Sequence, residues 1–217
     1  MSAHPASGVF IAFEGGEGTG KSTQARLLFE ALKADGRDVV LTREPGGTDG
    51  AEAIRTLLLD PPGEGWEPIG EAMLFAAARS DHVAKVIRPA IGKGQWVICD
   101  RYVDSSIAYQ GVAGRLGSGV IEELHRIGSD GLRPDLVFLL TVDDALVMER
   151  LAARDGTLTD AIARRSATFH RAVGHAFSQL ARGDAAFHTV NGNRPEQEVH
   201  AEIWSAVQRW RGRDEAC

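Results

Sequence analysis

The sequence predicts an α/β protein built on a parallel five-stranded sheet covered by helices on both faces. Three observations carry that prediction: five short, mostly apolar runs recur along the chain, helical periodicity fills the intervals between them, and a glycine-rich turn joins the first run to the first helix. Strands that alternate with helices are joined by crossovers, which return the chain parallel and leave a helix on one face or the other. No internal repeat or low-complexity stretch breaks the pattern, so residues 1–217 are read as a single domain.

Strands are expected at Val9–Phe13, Val39–Thr42, Trp96–Cys99, Leu136–Leu140 and Phe187–Val190. Helices are expected at Lys21–Ala34, Ala51–Leu59, Ile69–Ile91, Val120–Ile127, Ala145–Arg154, Asp160–Ala181 and Glu196–Arg211, where apolar residues fall at helical spacing. Pro134 precedes a strand and Pro195 opens the last helix, two positions that tolerate a missing N–H. The segment AARDGTLTDAIA, from Ala152 to Ala163, is polar and interrupted by glycine, and suits either a plain loop or a lid at about residues 150–165.

Composition narrows the functional classes. Hydrophobic content of 43% and charged content of 25% suit a soluble domain with an ordinary core. A formal net charge of −6 argues against polymeric nucleic acid as a partner, while leaving room for a locally basic pocket. The two cysteines, Cys99 and Cys217, suggest neither a disulfide framework nor a zinc site, and the seven histidines show no ligand spacing. Met1–Ser7 lacks the basic and apolar parts of a signal peptide and no apolar run approaches the length of a membrane span, so a cytoplasmic location with no membrane partner is expected.

The richest stretch is Phe13–Thr23, FEGGEGTGKST. Gly15, Gly16, Glu17, Gly18, Thr19, Gly20, Lys21 and Ser22 fit G-x-x-x-x-G-K-[ST], between an apolar run and a helical pattern. Glycines let backbone N–H groups converge on phosphate oxygens at a helix N-terminus, Lys21 would reach the β- and γ-phosphates, and the Ser22 hydroxyl would ligate Mg2+. A glycine turn that binds nothing would not need the lysine and serine. The motif therefore points to a nucleoside triphosphate. Two glutamates, Glu14 and Glu17, stand oddly in a loop that holds anions.

A guanine-nucleotide switch would need N-K-x-D, but the asparagines are Asn191 and Asn193 and neither begins one. Asp60-Pro61-Pro62-Gly63 matches D-x-x-G only formally, and a motor ATPase needs a longer chain. A compact kinase remains. The segments FEGGEGTGKSTQ, LTREPGGT, MLFAAAR, VICDRYVDSSIAYQG, LRPDLVFLL and VNGNRPEQEVHAEIW, in that order, resemble the bacterial type of thymidylate kinase over nearly the whole chain. The resemblance implies a P-loop nucleoside monophosphate kinase fold, ATP with Mg2+, dTMP as acceptor, and a homodimer.

It also implies roles. Phe75 and Arg79 share a helix face, the ring stacking on thymine and the guanidinium donating to O4. Arg101 grips the acceptor phosphate with Arg43 as second cation, a task suited to a bidentate guanidinium, and Asp100 organises the metal with Ser22. Tyr109 packs where a ribose 2′-hydroxyl would sit, and Ser105, Ser106 and Gln110 contact the nucleotide or, equally, cap and turn the backbone. Glu17 accepts a hydrogen bond from the acceptor's 3′-hydroxyl; Glu14 is left as a residue that holds structure. The Asn191–Pro195 loop borders adenine.

One departure concerns the lid. The family's lid often reads D-R-x-E, whereas this chain has Asp160-Ala161-Ile162-Ala163. Arg150, Arg154, Arg164 and Arg165 remain to supply the catalytic cation; Arg154, beside Gly156, is expected to do so, with Arg164 or Arg165 in reserve. The expected reaction is phosphorylation of dTMP to dTDP, against which stand a kinase for another nucleoside monophosphate and a nucleotide-binding regulator without transfer activity.

Overall fold

The computed structural model describes residues 8–153 and 161–214. Five strands, β1 (Val9–Glu14), β2 (Val39–Arg43), β3 (Trp96–Asp100), β4 (Leu136–Thr141) and β5 (Phe187–Asn191), form a parallel sheet in the order β2-β3-β1-β4-β5. Central β1 pairs Phe13 with Asp100 of β3 and with Phe138 of β4. Every strand runs one residue past its expected end, to Glu14, Arg43, Asp100, Thr141 and Asn191. Backbone pairing carries on where apolarity stops, because ladder hydrogen bonds do not depend on the side chain. These last positions lie at the carboxyl ends, where open α/β sheets bind ligands.

Alternation along β1 sorts the core. Val9, Ile11 and Phe13 pack with Leu28 and Leu32 of α1 (Lys21–Ala34) and with Ile203 and Val207 of α9 (Glu196–Asp214). Phe10 and Ala12 face the opposite way, onto Ile87, Tyr102, Val103 and Ile107. All six residues of β1 are buried, and each large side chain so buried contributes about 1.5–3 kcal/mol. Among the described residues no helix is long and apolar enough to cross a membrane.

Three helical expectations change. The segment Ile69–Ile91 is α3 (Pro68–His82), a π-helical turn (Val83–Ile87) and α4 (Arg88–Gly92) in unbroken succession. Pro89 cannot donate and crowds the carbonyl four residues back, and the wider turn accommodates it. The helix expected from Asp160 starts at Ala167, as α8 (Ala167–Gly183), because the Ser166 side chain accepts from Phe169 N and caps it there. An unexpected helix follows β3: α5 (Val103–Ser106) leading into π-helical Ile107–Ala113. Its wide turns break the 3.6-residue period by which helices are read. The remaining helices are α2 (Asp49–Leu59), α6 (Ser118–Ser129) and α7 (Asp144–Ala153).

Candidate active site

A cavity of about 720 Å³ opens at the carboxyl ends of β1 and β3. Among the described residues, seven cationic side chains line it (Lys21, Arg43, Arg55, Arg79, Arg101, Arg150 and Arg194) against four acidic ones. An acidic chain has built a positive pocket, an environment that favours anions.

Its floor is the glycine-rich turn. Gly15 has φ 139°, and a Cβ there would lie 2.5 Å from the Leu140 carbonyl oxygen, so the backbone passes closer to β4 than any side chain permits. Gly20, at φ 93°, precedes α1 without a side-chain cap, which leaves first-turn N–H groups for a ligand. Lys21 is buried and donates to Gly16 O at 2.5 Å. Burial, then repulsion from Arg101, lowers its pKa to about 8, against the pull of Glu17, Asp100 and Glu14.

Arg101 is the hub of a second cluster on the cavity wall. Its φ of 69° is left-handed, a conformation costing about 1–2 kcal/mol outside glycine. Its side chain donates to Glu17 Oε1 at 2.5 Å, Gly15 O at 3.0 Å and Ser105 Oγ at 3.1 Å, and lies over the Tyr109 ring. Arg101 drives the Glu17 pKa down to about 2, overcoming burial, with Lys21 assisting; Glu17 is an anion throughout the working range. Burial opposes the charge on Arg101, but Glu17, Tyr109, Asp100 and Glu14 hold it protonated.

Arg79 reaches the cavity from α3, 3% exposed. Its Nε donates to Glu44 Oε2 at 2.7 Å, and its Nη2 to Ser106 Oγ at 2.8 Å and Tyr102 O at 3.3 Å. The other Glu44 oxygen meets His82 Nδ1 at 3.1 Å, and His82 Nε2 meets Thr42 Oγ1 at 2.7 Å. Nη1 has no partner among the described residues, which leaves one fixed donor at the wall beside half-buried Phe75. Gln110 donates to Glu71 at 2.8 Å, and exposed Arg43 is held by Glu52 at 2.9 Å.

The model of the thymidylate kinase family matches residues 13–203. The chain is 50% identical over 201 residues to a thymidylate kinase of Rhizorhabdus wittichii, covering 92% of this chain and 97% of that protein. It is 43% identical over 208 residues to one from Afipia carboxidovorans, covering 95% and 91%. The chain belongs to the thymidylate kinase family. A crystal structure of thymidylate kinase from Ehrlichia chaffeensis superposes with a TM-score of 0.76 at 32% identity, covering 93% of this chain and 99% of that one. The sheet and this match give the P-loop nucleoside monophosphate kinase fold.

Against that family background, the four arginines expected to supply a catalytic cation differ in placement. Arg154 lies outside the described residues. Arg164 is exposed, and Arg165 is turned to Glu71 and stacked on Phe169 at 4.6 Å; neither lines the cavity. Arg150 does, donating to Gly192 O at 2.9 Å, with Nη1 4.0 Å from where a Cβ on Gly20 would stand. The guanidinium beside the phosphate loop therefore comes from α7, ahead of the polar segment.

The metal expectation has a structural counterpart. The Ser22 hydroxyl donates to Asp100 Oδ2, while buried Asp100 Oδ1 has no partner among the described residues. Two hard oxygen donors, one of them orphaned, suit Mg2+, which binds proteins through few carboxylates. Glu44 and Arg55 line the cavity as well and were not singled out from sequence. Glu44 sits inside LTREPGGT and was there to be found; Arg55, on a helix with its apolar residues at 3.6 spacing, carried no such signal.

Proposed function

We propose that the cavity holds ATP and dTMP end to end, with Glu17 and Arg101 at their meeting point. The enzyme phosphorylates dTMP to dTDP with ATP as donor, and nothing favours a different acceptor or a silent regulator. The observation that carries the acceptor reading is Arg79: a buried guanidinium with three donor bonds already made offers its remaining edge beside Phe75. A fixed donor there suits the thymine O4 oxygen and rejects cytosine, whose amino group would leave two donors facing each other.

The reaction is an in-line attack by the acceptor's phosphate oxygen on the γ-phosphorus, with no covalent intermediate. It demands positioning and charge rather than a strong base. The glycine turn and Lys21 cradle the donor phosphates. Arg101 exchanges Glu17 for the acceptor phosphate, assisted by Arg43, and the released Glu17 carboxylate accepts the sugar 3′-hydroxyl. Tyr109, buried against Phe169 and Phe177, fills the space that a ribose 2′-hydroxyl would need. Ser105, Ser106 and Gln110 hold the wall, Gln110 oriented by Glu71. Ser22 and Asp100 would hold Mg2+, which neutralises phosphate charge. Arg150 takes the role that Arg154 was expected to fill, and residues 150–165 act as the lid of a single kinase domain.

Exposed Ile69 and Met73 on α3 and Ile127 on α6, two helices packed together, support a homodimer through that face. Buried, unpaired Cys99 fits a cytoplasmic enzyme. The deciding test is an ADP-release assay with Mg2+ and ATP across dTMP, dUMP, UMP, dCMP, AMP and GMP. A strong preference for dTMP, abolished by EDTA, is expected; equal turnover of dCMP overturns the Arg79 reading.

A further inference from the structure

Glu14 answers the part of the glycine-rich turn that the reaction leaves unused. It is the last residue of β1, fully buried, and its carboxylate is turned to Tyr102 and Ser105. Oε1 accepts Tyr102 N at 2.8 Å and Ser105 N at 3.1 Å; Oε2 accepts the Ser105 hydroxyl at 2.6 Å. That same Ser105 Oγ accepts from Arg101 Nη1 at 3.1 Å. On the backbone, Arg101 N donates to Phe13 O at 2.9 Å, the Cys99 thiol donates to Arg101 O at 3.0 Å, and Glu14 takes the next N–H along. The left-handed Arg101 is thus clamped on both sides, and two of the clamping groups belong to residues 13 and 14.

We propose, on the reading of Arg101 as the acceptor-phosphate arginine, that Glu14 is a positioning residue whose buried carboxylate fixes the Arg101 backbone and side chain for that phosphate. The clamp works through Ser105: with Glu14 ionised, the hydroxyl proton points to Oε2 and the Ser105 lone pairs point to Arg101. With Glu14 protonated the bond to Ser105 reverses, the Ser105 proton needs another acceptor, and Arg101 loses an anion behind it. Burial, then the neighbouring Asp104 carboxylate, raise the Glu14 pKa to about 8, against Ser105, Arg101 and the Tyr102 N–H. Asp104, itself fully buried and paired with Arg133, stands beside it from α5. Lys21 from α1, Cys99 from β3 and Tyr109 from the π-helical segment also feel its charge. A purely structural acceptor would not need a charge that burial opposes; a glutamine could take the same backbone N–H bonds.

The test is steady-state kinetics of Glu14→Gln, Ser105→Ala, the double variant and Arg101→Ala, with KM for dTMP and for ATP, kcat, and thermal unfolding, at pH 6 and pH 9. Glu14→Gln is expected to raise KM for dTMP about tenfold at pH 9, the scale of one charge-assisted bond, and no more than about twofold at pH 6, with KM for ATP little changed. Titration of dTMP cancels in the ratio to the parent enzyme, and KM for ATP at both pH values reports any change in Lys21, whose charge Glu14 supports. Ser105→Ala should give a smaller rise, and the two should be non-additive. An equal rise for both substrates, a ratio independent of pH, or lowered stability with unchanged kinetics overturns the role of Glu14 alone. Should Glu14→Gln fail to fold, Ser105→Ala with KM for dTMP unchanged at pH 9 overturns it too. An Arg101→Ala enzyme with unaltered KM for dTMP sinks the acceptor reading, and this inference with it.

Discussion

Arg79 and Arg150 line one cavity with the same charge, yet they are held very differently. Arg79 is buried on α3, tied by three hydrogen bonds, and braced through Glu44 by His82 and Thr42. Arg150 is half-buried on α7 and, among the described residues, donates to a single carbonyl, that of Gly192. On the proposed reading, the acceptor side is assembled before substrate arrives, and the donor side keeps its cation on a lighter tether. Discriminating one base from another needs a donor that cannot retreat, a demand that the buried network around Arg79 would meet. Neutralising a moving phosphoryl group needs a charge able to follow it and to close over it.

The comparison is broken or sharpened first on the donor side. Replacing Lys21 by Met should cut kcat by roughly 10³-fold, and Arg150→Ala by about 10²–10³-fold, with KM for dTMP nearly unmoved. Arg165→Ala should keep kcat within a few-fold, since its partners are Glu71 and Phe169. Single-turnover rates decide this, and a collapse with Arg165 but not Arg150 would reverse the assignment.

On the acceptor side, Phe75→Ala removes one stacking surface and should weaken dTMP binding by about 10–100-fold by calorimetry, with ATP unaffected. A pH series separates the halves again. Lys21 has its pKa lowered to about 8, so the unfolded chain binds the extra proton between there and the ordinary lysine value; stability from this group rises with pH through that window. Its service to ATP runs the other way: affinity should fall by up to about tenfold per unit above pH 8. The smallest effect is expected at Ser166→Ala, which strips the cap of α8 for about 1 kcal/mol of stability and leaves kinetics unchanged.

Much of this was legible in one dimension. The five strands stand where the apolar runs stand, and the glycine-rich turn with Lys21 and Ser22 announces a phosphate site before any fold is known. The losses share a cause. Reading strands by apolarity stops them at Phe13, Thr42 and Cys99, one residue short of Glu14, Arg43 and Asp100, because polar side chains at strand ends interrupt the pattern but not the hydrogen bonds. Pro89 and the π-helical turns disturb the 3.6-residue period, so the helix that carries Ser105, Ser106 and Tyr109 was not seen as one. Sequence holds Arg165 in reserve for the catalytic cation ahead of Arg150, but Glu71, 94 positions away, takes its guanidinium.

The order of residues carries the menu: an alternating α/β chain, a glycine-rich turn of phosphate-binding pattern, and the motifs of one family in order. What the tertiary structure decided is the use made of identical side chains. Glu14, at the end of β1, and Glu17, in the turn that follows, lie three residues apart, but the first is pushed up to about 8 by burial and Asp104, and the second down to about 2 by Arg101. Arg101 is 84 positions from Glu17 in the chain and 2.5 Å away in space. Burial and pairing set a carboxylate's charge, and both are properties of neighbours that only folding supplies.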